Sequence, residues 1–63
     1  MIKELSLLYM QKEAIEKENE FYRKTIPHIE ESYAEILNYL VKTNTRQYDD
    51  IVNRIIELES EKN

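Results

Sequence analysis

The segment RKTIPHIEES, residues 23–32, contains the only proline and the only histidine of the chain. Pro27 has no backbone N–H, so it kinks or ends a helix in which it is an interior residue. The same segment resembles the start of a new helix, because Thr25 can cap an N-terminus and Pro27 is tolerated in a first turn. Glu30 and Glu31 would then lie near the positive end of the helix dipole. The segment therefore predicts either a kink within one long helix or a boundary between two helices.

The composition around this segment indicates an all-α protein. The 63 residues include no glycine and no cysteine, so hairpin turns that need positive φ are disfavoured and no disulfide can form. Apolar residues recur at spacings of three and four, as on one face of a helix. We expect a single helical domain of a soluble, cytoplasmic protein, of the kind found among bacterial and phage accessory proteins. We expect no cofactor and no bound metal.

A series of positions with heptad spacing crosses the proline without changing phase. Such a series is typical of helices packed along a narrow seam. Lys12 interrupts it with a charge, and Asn19 adds a polar residue of the type that fixes register. The predicted self-association seam consists of Leu5, Leu8, Ile15, Asn19, Tyr22, Ile26, Ile29, Tyr33, Ile36 and Leu40.

A second boundary is predicted at KTNTRQ, residues 42–47, where the heptad register ends. Asn44 or Thr45 can act as an N-cap, and Asn44 with Gln47 resembles a capping box. The predicted elements are an N-terminal helix over 1–25, a second helical segment over 27–42 and a C-terminal helix over 45–61. The unbroken heptad phase favours a long first helix that is kinked near Pro27 and followed by an antiparallel hairpin. A compact three-helix bundle is the alternative.

A long first helix would leave apolar surface uncovered, and this favours assembly with another chain. A C-terminal helix of about 16 residues cannot cover an apolar ridge that runs along the first forty residues, at 1.5 Å of rise per residue. Small domains without disulfides or metals commonly gain a core by oligomerising. We therefore expect a homodimer that forms a helical bundle or coiled coil.

No catalytic constellation is present in the sequence, and we expect a non-enzymatic protein. His28 is interpreted as an exposed residue of a first helical turn. The acidic excess of the net charge of −4 lies in residues 27–63, because residues 1–26 carry equal numbers of acidic and basic side chains. An acidic surface favours a protein partner with a basic surface and disfavours nucleic acid. We also expect no membrane, because no stretch approaches the roughly 20 apolar residues of a membrane span. The candidate partner contacts are Tyr9, Phe21, Tyr39, Glu30, Glu31, Asp49 and Asp50.

Two functions are consistent with these features. The first is a protein that self-associates and binds another protein as an inhibitor, adaptor or regulator. The second is a transcriptional regulator that binds nucleic acid through its C-terminal helix. In that case the helices on either side of KTNT would resemble a helix-turn-helix, with Arg46, Gln47, Asn53 and Arg54 as the readers.

Overall fold

The computed structural model describes residues 2–61, and the side chains of residues 3–61. Helix α1 spans Ile2–Thr25, a short 3-10 helix spans Ile26–His28, and helix α2 spans Glu31–Glu61. The two α-helices lie side by side and antiparallel, so that Glu4 contacts Arg54 and Asn19 contacts Asn44. The described chain is therefore an all-α helical hairpin, and of the predicted fold class the all-α part is confirmed, whereas the hairpin is formed by other segments than the predicted 27–42 and 45–61.

The chain reverses direction around Pro27. Helix α1 ends at Thr25, one residue before Ile26, whose α conformation is disfavoured by the proline that follows it, and a 3-10 turn carries the chain to His28. Ile29 is then extended, with φ −124° and ψ 167°, and no described residue has a positive φ. An extended residue reverses the chain here without glycine. The continuous helix over 2–42 that the heptad phase favoured is not formed.

Thr25 does not act as the predicted cap. Its backbone is helical, and its hydroxyl donates to the carbonyl oxygen of Phe21 at 2.8 Å, within the last turn of α1. The first hydrogen bond of α2 runs from the N–H of Ala34 to the carbonyl of Glu30 at 2.9 Å. Glu31 lies in the first turn of α2, where the helix dipole stabilises its negative charge, as the sequence indicated.

The predicted boundary at 42–47 is also absent. Helix α2 runs through it without interruption for 31 residues. Thr43 and Thr45 donate their hydroxyls to the carbonyls one turn earlier, those of Tyr39 and Val41, at 3.1 and 2.8 Å. Asn44 turns its amide towards α1. The residues interpreted as caps therefore bond within or between helices, and the three-helix bundle is not formed either.

The interface between the helices uses the apolar ridge of α1. Leu5 and Ile55 are the described apolar residues that become buried, at 9% and 5% exposure, and Asn19 is buried at 7%. The hairpin measures 49 × 15 × 12 Å across its Cα atoms. Its Cα radius of gyration of 14.7 Å exceeds the roughly 10.6 Å of a compact domain of this length. Two packed helices form one layer, and one layer buries few side chains.

Candidate protein-binding surfaces

One side of the hairpin, which we call the polar side, is lined by hydrogen-bonding groups. The hydroxyl of Tyr48 donates to Oε2 of Glu16 at 2.6 Å, and Nζ of Lys12 lies 2.9 Å from the same oxygen. The Lys12 ammonium also lies 5.5 Å from the centre of the Tyr48 ring, within the range of a cation–π contact. A groove on this side is lined by Glu16, Asn19, Glu20, Arg23, Lys24, Thr45, Tyr48 and Asp49.

These contacts change the acidity of Glu16. The hydrogen bond from Tyr48, followed by that from Lys12, lowers the pKa of the Glu16 carboxyl below its ordinary value of 4.5. A lowered pKa in the folded state stabilises the hairpin above the ordinary pKa, and this contribution is lost as the pH falls through the lowered value. Farther along the same side, the hydroxyl of Tyr9 donates to Oε2 of Glu59 at 2.8 Å, and this bond raises the pKa of Tyr9.

Asn19 and Asn44 form a polar layer within the helix interface. Nδ2 of Asn44 donates to Oδ1 of Asn19 at 3.1 Å and to Oε1 of Glu18 at 2.7 Å, so both of its hydrogens are used. Asn19 is 7% exposed, which makes it the buried polar residue of the described chain. A pair of this kind holds the two helices in one register, because a shift of either helix would leave buried polar groups unpaired.

We expect Asn44→Leu alone to destabilise the hairpin by about 1–3 kcal/mol, because it leaves the Asn19 amide buried without this partner. The double variant Asn19→Leu with Asn44→Leu should recover most of that loss, since an apolar pair needs no hydrogen bonds. Urea unfolding at a fixed protein concentration measures both. A double variant as unstable as the single variant would contradict the role of the pair.

The opposite side of the hairpin carries exposed apolar side chains, and we call it the apolar face. Its central groove lies between the helices and is lined by Gln11, Ala14, Ile15, Gln47, Asp50 and Ile51. On α1, Leu7, Met10 and Phe21 lie within about 40° of Ala14 around the helix axis, at 100° per residue. They are 52%, 65% and 64% exposed.

Helix α2 continues the apolar face along its whole length. Tyr33, Ile36, Leu40 and Leu58 lie within about 60° of Ile51 around the axis of α2. Tyr33 and Ile36 are 59% and 57% exposed, although both belong to the predicted seam. Leu7 and Ala14 of α1 therefore border this face beside the exposed side chains of α2, whereas Met10 and Phe21 lie farther around α1, on its side turned away from α2.

The seam residues are thus divided between two surfaces. The seam residues of α1 that are buried or half-buried on the side that packs on α2 of the same chain are Leu5, Leu8, Ile15, Asn19 and Tyr22, and Ile26 is half-buried at the start of the 3-10 helix. Ile29 is half-buried at the turn, whereas Tyr33 and Ile36 are exposed and Leu40 is half-buried at the edge of the apolar face. The α1 ridge, from which the need for a second copy was argued, is therefore partly covered by the chain itself.

Leu7 and Met10 are exposed apolar residues that the predicted partner contacts do not include. The signal that identifies them is a second series with heptad spacing, formed by Leu7, Met10, Ala14 and Phe21. This series lies about 140° around α1 from the ridge that packs on α2. One neighbouring helix does not cover two apolar stripes, and in the described chain α2 covers the Leu5 to Tyr22 stripe.

The predicted partner contacts are distributed over several surfaces. Phe21 lies on the outer side of α1, in a groove lined also by Lys17, Glu20 and Lys24, and its ring lies 6.0 Å from that of Tyr22. Tyr9 lies on the polar side, where it bonds Glu59, Asp49 lines the groove on that side, and Asp50 lines the apolar groove. The structure does not bring these four residues into one site.

The remaining candidates lie near the turn. Glu30 is exposed just before α2, and Glu31 and Tyr39 are exposed on it. With Glu35, these two form a line at four-residue spacing on the side of α2 that faces away from α1, which we call the outer flank. Tyr39 is 68% exposed, the highest value among the large apolar residues of the described chain.

The alternative of nucleic-acid binding depended on a turn at KTNT, residues 42–45. Within residues 2–61 the chain has its turn at 26–30 instead, so no helix-turn-helix is formed around KTNT. Of the proposed readers, Arg54 is engaged by Oε2 of Glu4 at 3.2 Å and by Oε2 of Glu57 at 3.3 Å. His28 is exposed at the end of the 3-10 helix.

In the part of the chain that the structure describes, no three acidic or histidine side chains come together in a way that could hold a metal ion. Neither described helix combines the length and the apolar character that a membrane crossing needs. No protein-family model matches this chain, and neither a curated protein nor a solved structure matches it.

Proposed function

We propose that this protein is a non-enzymatic, cytoplasmic helical hairpin that self-associates and binds another protein, as an inhibitor, adaptor or regulator. The observation that carries the proposal is the apolar face, which exposes large side chains of both helices along one side of the hairpin. Contiguous exposed apolar surface of this kind marks interaction sites in small proteins. A helix layer becomes stable by burying such a face against another layer.

The outer flank supports the second half of the proposal. Glu31, Glu35 and Tyr39 face away from α1, so they remain accessible when the apolar face is covered. Between Thr25 and Val41 the chain has three acidic side chains and no lysine or arginine. An exposed tyrosine among carboxylates is suited to a partner with a basic surface, since the ring supplies contact area and the charges steer association.

A comparative affinity purification tests partner binding. Tagged wild-type protein is used as bait in a lysate of the source organism, beside the double variant Glu35→Lys with Tyr39→Ala. Asn38→Ala, on a neighbouring exposed position of the same helix, is the matched control. We expect a protein that wild type and Asn38→Ala retain and that the double variant loses at least about tenfold. Equal retention by all three baits would contradict the outer flank as the contact surface.

A titration with duplex DNA at low salt tests the alternative function. We expect no binding, because phosphate binding needs a basic surface and α2 carries Asp49, Asp50 and Glu57. Binding that weakens steeply with added salt would instead support the nucleic-acid regulator.

A further inference from the structure

We propose that the apolar face packs on the same face of a second copy, about a two-fold axis perpendicular to the helices, with the two turns at opposite ends of a four-helix bundle. This inference rests on the proposed function, because it specifies the geometry of self-association. It names the occupant of the apolar face as another copy of this chain.

The exposed area matches what such a dimer needs. The hairpin exposes 5208 Å², whereas a compact monomer of 7.7 kDa exposes about 4,300 Å². The excess of about 900 Å² is close to the roughly 800 Å² that each partner buries in a stable interface. A second hairpin supplies a second layer of matching length, since both copies measure 49 Å along the long axis.

The apolar face is suited to pack on itself. In a two-fold interface the residue on the axis meets its own copy, which excludes a charged residue at that position. Gln47 lies one residue from the midpoint of α2 and lines the central groove. A glutamine amide is both donor and acceptor, so two copies of Gln47 can bond to each other. With the axis at Gln47, Ile36 lies opposite Leu58 of the second copy, and Leu40 lies within one turn of Ile51.

Substitutions of two equally exposed isoleucines on α2 test whether the apolar face forms the dimer interface. Ile36 is 57% exposed on the apolar face, and Ile56 is 56% exposed about 160° away around the helix. We expect wild type to sediment as a dimer, and Ile36→Glu to weaken dimerisation at least about 100-fold, because it places two charges in the interface. Ile56→Glu should leave the dissociation constant within about threefold of wild type. A monomeric wild type, or equal weakening by both variants, would overturn the inference.

A distance measurement tests the axis. The chain has no cysteine, so Ser32→Cys accepts one spin label per copy at the turn end. A perpendicular axis at Gln47 places the two labels roughly 45 Å apart, at 1.5 Å per residue over fifteen residues in each copy. A parallel axis places them roughly 20 Å apart, about two interhelical spacings, and that result would overturn the proposal.

The outcomes separate this inference from the proposed function. A monomeric protein that still retains its partner through Glu35 and Tyr39 would remove the second copy and leave partner binding intact. A dimer with widely separated labels that retains no partner would support the bundle and contradict partner binding.

Discussion

Replacing Thr45 with proline is expected to unfold the hairpin. Thr45 lies in the interior of α2, where its hydroxyl donates to the carbonyl of Val41 at 2.8 Å. A proline there removes the backbone N–H and its ring clashes with that same carbonyl, at a cost of about 3 kcal/mol or more. Only two apolar side chains are buried among the described residues, so the hairpin has little stability to lose and the loss of helicity should be nearly complete.

Glu31→Pro is the matched control for Thr45→Pro. Glu31 is the first residue of α2, a position where proline is tolerated because the N–H has no partner within the helix. We expect its free energy of unfolding to stay within about 1 kcal/mol of wild type. Far-UV circular dichroism and urea unfolding measure both variants. A Thr45→Pro protein as helical and stable as Glu31→Pro would show that the chain breaks near 45, as the capping residues suggested, and would contradict a continuous α2.

Ile55→Ala is expected to have the next largest effect. Ile55 is 5% exposed in the interface between the helices, so its truncation should lower the free energy of unfolding by about 2–4 kcal/mol. Ile56 is its neighbour in the chain and is 56% exposed, so Ile56→Ala should cost less than about 1 kcal/mol. The comparison is made at one protein concentration, because self-association adds to the apparent stability.

Comparing the two alanine variants shows which of the two isoleucines packs in the interface between the helices. Equal losses at the two positions would mean that Ile56 is as well packed as Ile55, and would contradict the rotation of α2 that places Ile55 against α1. The rotation of α2 about its axis also determines which of its residues lie on the apolar face. Equal losses would therefore mean that this set of residues is wrong.

Local signals identified part of this structure correctly. The apolar spacing and the absence of glycine predicted the helical class, and Pro27 marked the region where the chain turns. Asn19 was recognised as a polar residue on an apolar stripe, and it forms a hydrogen bond within the interface. These features depend on the chemistry of single residues and their immediate neighbours, which the sequence states directly.

The boundary at 42–47 was predicted from local signals and is not formed. Capping residues favour a helix start by about 1 kcal/mol, which is a weak preference beside the burial of a helix face. Once the chain has reversed at Pro27, an uninterrupted α2 places Asn44 against Asn19 and Ile55 in the helix interface, and the threonines find bonding partners inside the helix. Tertiary packing therefore overrides the capping signals.

The candidate surfaces likewise depend partly on the sequence and partly on the tertiary structure. By itself, the sequence determined that the chain is helical, that it carries more apolar stripe than one neighbouring helix can cover, and that its acidic excess lies after the proline. Only the tertiary structure decided which stripe the chain covers itself, because heptad spacing is the same whether the facing helix belongs to the same copy or to another. The reversal at 26–30 assigns the Leu5 to Tyr22 ridge to α2 of the same chain and leaves the Leu7 to Phe21 stripe, with Tyr33 and Ile36, facing solvent.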